Sequence, residues 1–114
     1  MDIIGQNGVF SVPEGAFVAE IDGAKATSLR SLYPRIAKAL HFPAHFGKNL
    51  DALFDCLTSL DAIDKENVVL IIRRYDLFLS KEKEARREAA LQTLRDAEKS
   101  ENRYDDKHFR VIGA

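Results

Sequence analysis

Asp51 and Asp55 are the residues whose type and spacing come nearest to chemistry in this 114-residue chain. Two carboxylates four residues apart share one face of a helix. Such a pair can act as general acid and base, or stand as an anionic patch that meets cations. Acid–base work needs two pKa values driven apart by environment, and an exposed pair has no cause for that. The patch reading survives. Cys56 sits beside an apolar stripe, where a thiol is an inert packing group rather than a nucleophile. His41 and His45 are also four apart, but Pro43 between them prevents a shared helical face, and no glutamate accompanies them as in a zinc protease. His108 opens a late strand pattern and stands apart from both. No Gly-rich phosphate loop and no nucleophile elbow occurs. The expectation is a protein that is not an enzyme and needs neither metal nor cofactor.

The element that must position the two acids is the helix they ride on. Leu50, Leu53, Phe54, Leu57 and Leu60 follow the i, i+3, i+4, i+7 spacing of one buried stripe, which predicts a helix over 50–60. At about 100° per residue, Asp51, Asp55, Thr58 and Ser59 point away from that stripe, into water. Like charges at i, i+4 repel, but acids in the first turns are favoured by the helix N-terminus. Upstream, Pro43 forces Phe42 toward extended backbone and the chain turns. Gly47 is expected to take a positive φ, and Asn49 to cap the helix. His45 and Phe46 then project from a short loop at the shoulder of the acidic face.

These residues carry a resemblance. Pro43, Phe46-Gly47, Asn49-Leu50-Asp51-Ala52-Leu53 and Asp55-Cys56-Leu57 form a specific run that closely resembles the barstar family, intracellular protein inhibitors of secreted ribonucleases. The similarity extends from about Ala16 to the C-terminus, weakly outside this run. It implies that the loop and helix enter a ribonuclease active site, with Asp55 as principal phosphate mimic, Asp51 its neighbour and Phe46 packed beside them. It also implies an acid at Asp96, near the end of a later helix. The partner-binding set is therefore His45, Phe46, Gly47, Asn49, Asp51, Asp55 and Asp96. The chain departs from the family at His45, more often a second aromatic, at Phe54, commonly Trp, and at Lys48, an acid in the best-known member. Lys48 lies three residues before Asp51 and seven before Asp55. Read on helical spacing, it falls on their face and cancels part of the field there.

Composition sets the frame. At 114 residues and 46% hydrophobic, one domain with a core that needs no metal or disulfide is expected. The single cysteine permits no internal bridge and fits a reducing cytoplasm. No basic segment followed by an apolar run opens the chain, and no apolar run nears 18 residues, so a soluble, unsecreted protein without membrane contact is expected. The formal net charge of −1 implies no particular partner. Its distribution says more: between His45 and Glu66 two lysines face five acids. Arg73-Arg74 could bind phosphate, but without interleaved aromatics or a basic stripe it reads as a solvated loop, and no direct nucleic-acid binding is expected.

Elsewhere the patterns alternate strand and helix. Phe17, Ala19 and Ile21 alternate with Val18 and Glu20 before Asp22-Gly23, a strand closed by a turn. Leu29, Leu32, Ile36 and Leu40 mark a helix that Pro34 should confine to a start near Ser31. Val68–Ile72 is a continuous β-branched run suited to a strand buried on both faces. Ser80 is placed to cap a helix over 81–99, and Phe109, Val111 and Ile112 make a last strand. Glu101–Lys107 reads as a polar connector. The prediction is an α/β fold, barstar-like, with a three-stranded parallel sheet packed with helices. Residues 1–15 read as an N-terminal extension, able to add a short strand, and 16–114 as the domain, monomeric when free. Two functions stand: an inhibitor of a secreted-type ribonuclease, or an adaptor of the same fold with a partner that is not a nuclease.

Overall fold

The computed structural model describes residues 1–114. Strand β1 (Asp2–Ile3) is followed by β2 (Phe17–Asp22), α1 (Leu29–Ala39), α2 (Leu50–Leu57), β3 (Asn67–Arg73), α3 (Glu84–Glu98) and β4 (His108–Gly113). All strands are parallel, in the order β1-β4-β3-β2. The expected three strands are all present, and the sheet has a fourth. Asp2 and Ile3 pair with Ile112 and Gly113, so residues read as an extension form one edge of the sheet.

The central strand β3 is buried from Val68 to Ile72, as its unbroken apolar run requires. Val68, Leu70 and Ile72 join the main core with Phe109 and Val111 of β4 and the inner faces of all three helices. Val69 and Ile71 point the other way, with Ile112 and Ala114. No helix covers that second face. Ile4, Phe10 and Ala16 do, so the first sixteen residues supply both an edge strand and a cover. Arg110 clamps the segment through Asp2 (2.9 Å) and the Ser11 carbonyl (3.1 Å).

Three helix boundaries differ from expectation. Helix α1 starts at Leu29, two residues before Ser31, because its first turn is unusually well supplied with acceptors. Ser28 and Ser31 form a reciprocal capping box, and the Glu82 carboxylate accepts the Leu29 N–H at 2.8 Å. Pro34 stays inside the helix, on its exposed face. Helix α3 starts at Glu84 rather than beside Ser80. The N–H groups of Leu79 and Lys81 instead bond to the carbonyls of Ala26 and Thr27, both at 2.9 Å, fixing residues 78–82 as a turn. Helix α2 ends at Leu57 rather than Leu60. There the Thr58 carbonyl accepts the N–H groups of Tyr104 and Asp105, and the Leu60 N–H goes to the Asp105 carboxylate. Thr58, expected in water, is therefore fully buried, its hydroxyl donating to Phe54 O at 2.9 Å.

Candidate protein-binding site

Leu53 and Leu57 of α2 have no exposed surface, while Asp51 and Asp55 on the opposite side are open to solvent. The helix has one way to sit, because turning it would bring carboxylates into the core and leucines into water. Asn49 fixes its start. The Asn49 side-chain oxygen accepts the Ala52 N–H at 2.8 Å, and its amide donates to the Gly47 carbonyl at 3.3 Å. Both ends of the Asn49 side chain are thus engaged in tying the loop to the helix.

The loop before α2 is held by rings. Phe46 stands edge-on to Phe42, centroids 5.1 Å apart, and to Tyr33 of α1 at 5.8 Å. It packs against the main core and is half-buried, so it anchors the loop more than it projects from it. His45 is exposed. The positive φ expected at Gly47 occurs instead at Lys48, with φ 51°. Gly47 has a different reason to be glycine: a Cβ there would stand 3.3 Å from Ala52 Cβ, where the loop presses on the helix.

Lys48 lies outside the helix, before its N-cap, so helical spacing does not govern where its side chain goes. It lines a cleft with Arg30, Tyr33, Pro34 and Arg86. The placement of Lys48 on the acidic face is thereby corrected. Arg30, Tyr33 and Arg86 escaped the sequence reading because no local pattern ties them to residue 48. The one available signal was Glu82 to Arg86 at i, i+4, which does pair, at 3.3 Å.

Asp96 stands on α3, which packs against α2. Its carboxylate accepts from Gln92 at 2.8 Å and lies 3.4 Å from Lys99, contacts that hold its pKa below the usual carboxylate range, the Gln92 bond most of all. Asp96 is thus an acid already partly neutralised. Cys56 is half-buried, and burial, with Asp55 beside it, pushes its thiol pKa up, against a nucleophilic role. The three histidines do not gather. His41 packs edge-on to Phe17 at 5.4 Å, and His108 lies 3.6 Å from Glu66. Arg73 and Arg74 are taken up by Glu20 and Asp22. No helix is long and apolar enough to cross a membrane.

What holds the far end of α2 is a buried ion pair. The Arg103 and Asp105 side chains are 1% and 6% exposed and 2.8 Å apart, with the Arg103 guanidinium over the Phe109 ring and donating to Ala97 O. Burial alone would raise the Asp105 pKa, but the Arg103 hydrogen bonds and the N–H groups of Leu60 and Lys107 outweigh it and lower it. The expected polar connector is therefore a brace for the site helix.

The arrangement can do one thing well. It offers a rigid anionic face, fixed at both ends, beside an aromatic loop. Residues 16–112 match the family model described as Barstar (barnase inhibitor). Over 38 residues the chain is 45% identical to a Bacillus subtilis (strain 168) protein described as "Putative ribonuclease inhibitor YrdF", a match spanning 33% of this chain and 42% of that one.

Proposed function

The chain belongs to the barstar family, and from that premise we propose that it inhibits a secreted, barnase-like ribonuclease inside the cell that makes the enzyme. The relatives support a ribonuclease-inhibitor-like role; the mechanism and the residues are our reading. The observation that carries it is the exposure of Asp51 and Asp55 on a helix whose opposite face, Leu53 and Leu57, is locked in the core. A ribonuclease active site is built to hold RNA phosphates and is therefore cationic. Two carboxylates on rigid backbone can occupy such a site without themselves being cleaved. Preorganisation matters because little side-chain and loop entropy is left to lose on docking. Asp55 takes the principal phosphate position and Asp51 its neighbour. Phe46, Gly47 and Asn49 hold the loop in the shape that docks, His45 meets the enzyme at the shoulder, and Asp96 adds charge from α3.

The test is RNA cleavage by a panel of barnase-type ribonucleases titrated with this protein and with Asp55→Ala. Stoichiometric inhibition by the native chain, lost or strongly weakened in the variant, supports the reading. Equal inhibition by both removes phosphate mimicry by Asp55, and inhibition of no ribonuclease by the native chain favours an adaptor with another partner.

A further inference from the structure

Beside the acidic helix lies a surface of opposite sign. Arg30, Tyr33, Pro34, Lys48 and Arg86 line a cleft of about 370 Å³. Glu82 stands at its edge, paired with Arg86 at 3.3 Å and accepting the Leu29 N–H. Neither Arg30 nor Lys48 makes an ion pair within the chain.

Both free cations stand where the backbone prefers an anion. Arg30 is the second residue of α1, and Lys48 precedes the N-cap of α2, so each faces the positive end of a helix. Lys48 also holds φ 51°, a left-handed conformation that residues with a Cβ adopt at a cost. Folding gives no reason for a lysine there. The cleft is also continuous with the proposed docking loop. Tyr33 on its wall touches the Phe46 ring, and Lys48 follows Phe46 by two residues.

We propose that this cleft receives a carboxylate-bearing segment of the bound ribonuclease. The inference rests on the inhibitor reading and deepens it by naming what the enzyme must carry. The target is an enzyme whose cationic active site is bordered by acid. Asp51 and Asp55 meet the cations, and Lys48 with Arg30 meets the acid. An enzyme with a uniformly basic rim is rejected, because its cations face Lys48, Arg30 and Arg86 across the interface. Lys48 and Arg30 thus set which ribonuclease is inhibited.

The experiment has two arms. In the first, binding kinetics are measured on the ribonuclease of the panel that the native chain inhibits best, for native protein, Asp55→Ala, Arg30→Glu, Lys48→Glu and Lys48→Gly. Lys48→Gly removes the charge without straining the left-handed backbone, and a urea melt of each variant separates lost binding from lost folding. Each cleft variant is expected to weaken binding about tenfold or more, charge reversal more than removal. If Asp55→Ala abolishes binding while the cleft variants bind as well as native or faster, the inference is overturned and the inhibitor reading stands. In the second arm, amide shifts of the protein alone are followed on adding acetylated tetraglutamate, acetylated tetralysine or inorganic phosphate. Tetraglutamate should move Arg30, Tyr33, Lys48 and Arg86, and lose that effect in Lys48→Glu. Shifts there with phosphate alone, or none, overturn the inference. This arm needs no ribonuclease, so it decides the cleft even where the inhibitor reading has failed.

Discussion

The Asp105 carboxylate accepts the backbone N–H of Leu60 at 2.9 Å, across 45 positions of sequence. The bond ties the segment just after the site helix to the turn before β4, and Arg103 holds the same carboxylate from the other side at 2.8 Å. Asp105→Asn should therefore act on the site without touching it. The Arg103 guanidinium would be left buried without a counter-charge, a change that typically costs about 3–5 kcal/mol. Urea unfolding at neutral pH measures it. The pH dependence has a definite sign. The folded Asp105 pKa is lowered, so its contribution is present above the unfolded value of about 3.9 and is lost as pH falls through the folded one. The gap between native protein and variant should then be full near neutral pH and narrow only in acid below about pH 4.

The two faces of α2 should separate cleanly in stability. Leu57→Ala empties a fully buried position and should cost about 2–5 kcal/mol. Asp55→Ala changes an exposed residue and should stay within about 1 kcal/mol of native. Thermal or urea melts of both variants check this, and equal losses would contradict the orientation of the helix.

In binding the ranking should reverse. Asp55→Ala should cost about 2–5 kcal/mol of affinity for the inhibited ribonuclease, a range that rests in part on the barnase–barstar interface itself and is carried over to this chain. Asp51→Ala should cost less. Association should slow as salt rises, because charges on the rim are screened over about 8 Å at physiological ionic strength. Stopped-flow association at low and high salt reads both effects.

Removing residues 1–15 should destabilise the fold even though the family match begins at residue 16. Val69, Ile71 and Ile112 would lose the cover of Ile4 and Phe10, and β4 would become a sheet edge. A loss of at least about 2 kcal/mol is expected from the apolar area uncovered. Urea unfolding of the truncated chain, with dye binding to exposed apolar surface, measures it. An unchanged midpoint would show that the cover contributes nothing.

What a period or a cap carries in consecutive residues could be read from the chain before it folds. The 3.6-residue spacing of Leu50, Leu53 and Leu57 set which face of α2 is buried, and so which face shows Asp51 and Asp55. The unbroken run Val68–Ile72 identified a strand covered on both sides. Asn49 marked the helix start. These signals are legible because one element's period and cap are written in consecutive residues. Tertiary structure decided what depends on partners far off in sequence. Helix α2 stops at Leu57 because Tyr104 and Asp105 take the Thr58 carbonyl, and Pro34 stays helical because Ser28, Ser31 and Glu82 satisfy the turn before it. Residues 1–15 carry too few apolar positions to declare a period, so only the bare face of Val69, Ile71 and Ile112 shows what they are for. Lys48 joins Arg30 and Arg86 because α1, the α2 loop and α3 converge there. A backbone hydrogen bond or an ion pair between distant segments leaves no periodic mark on either one, and that is why these features emerge only from the folded chain.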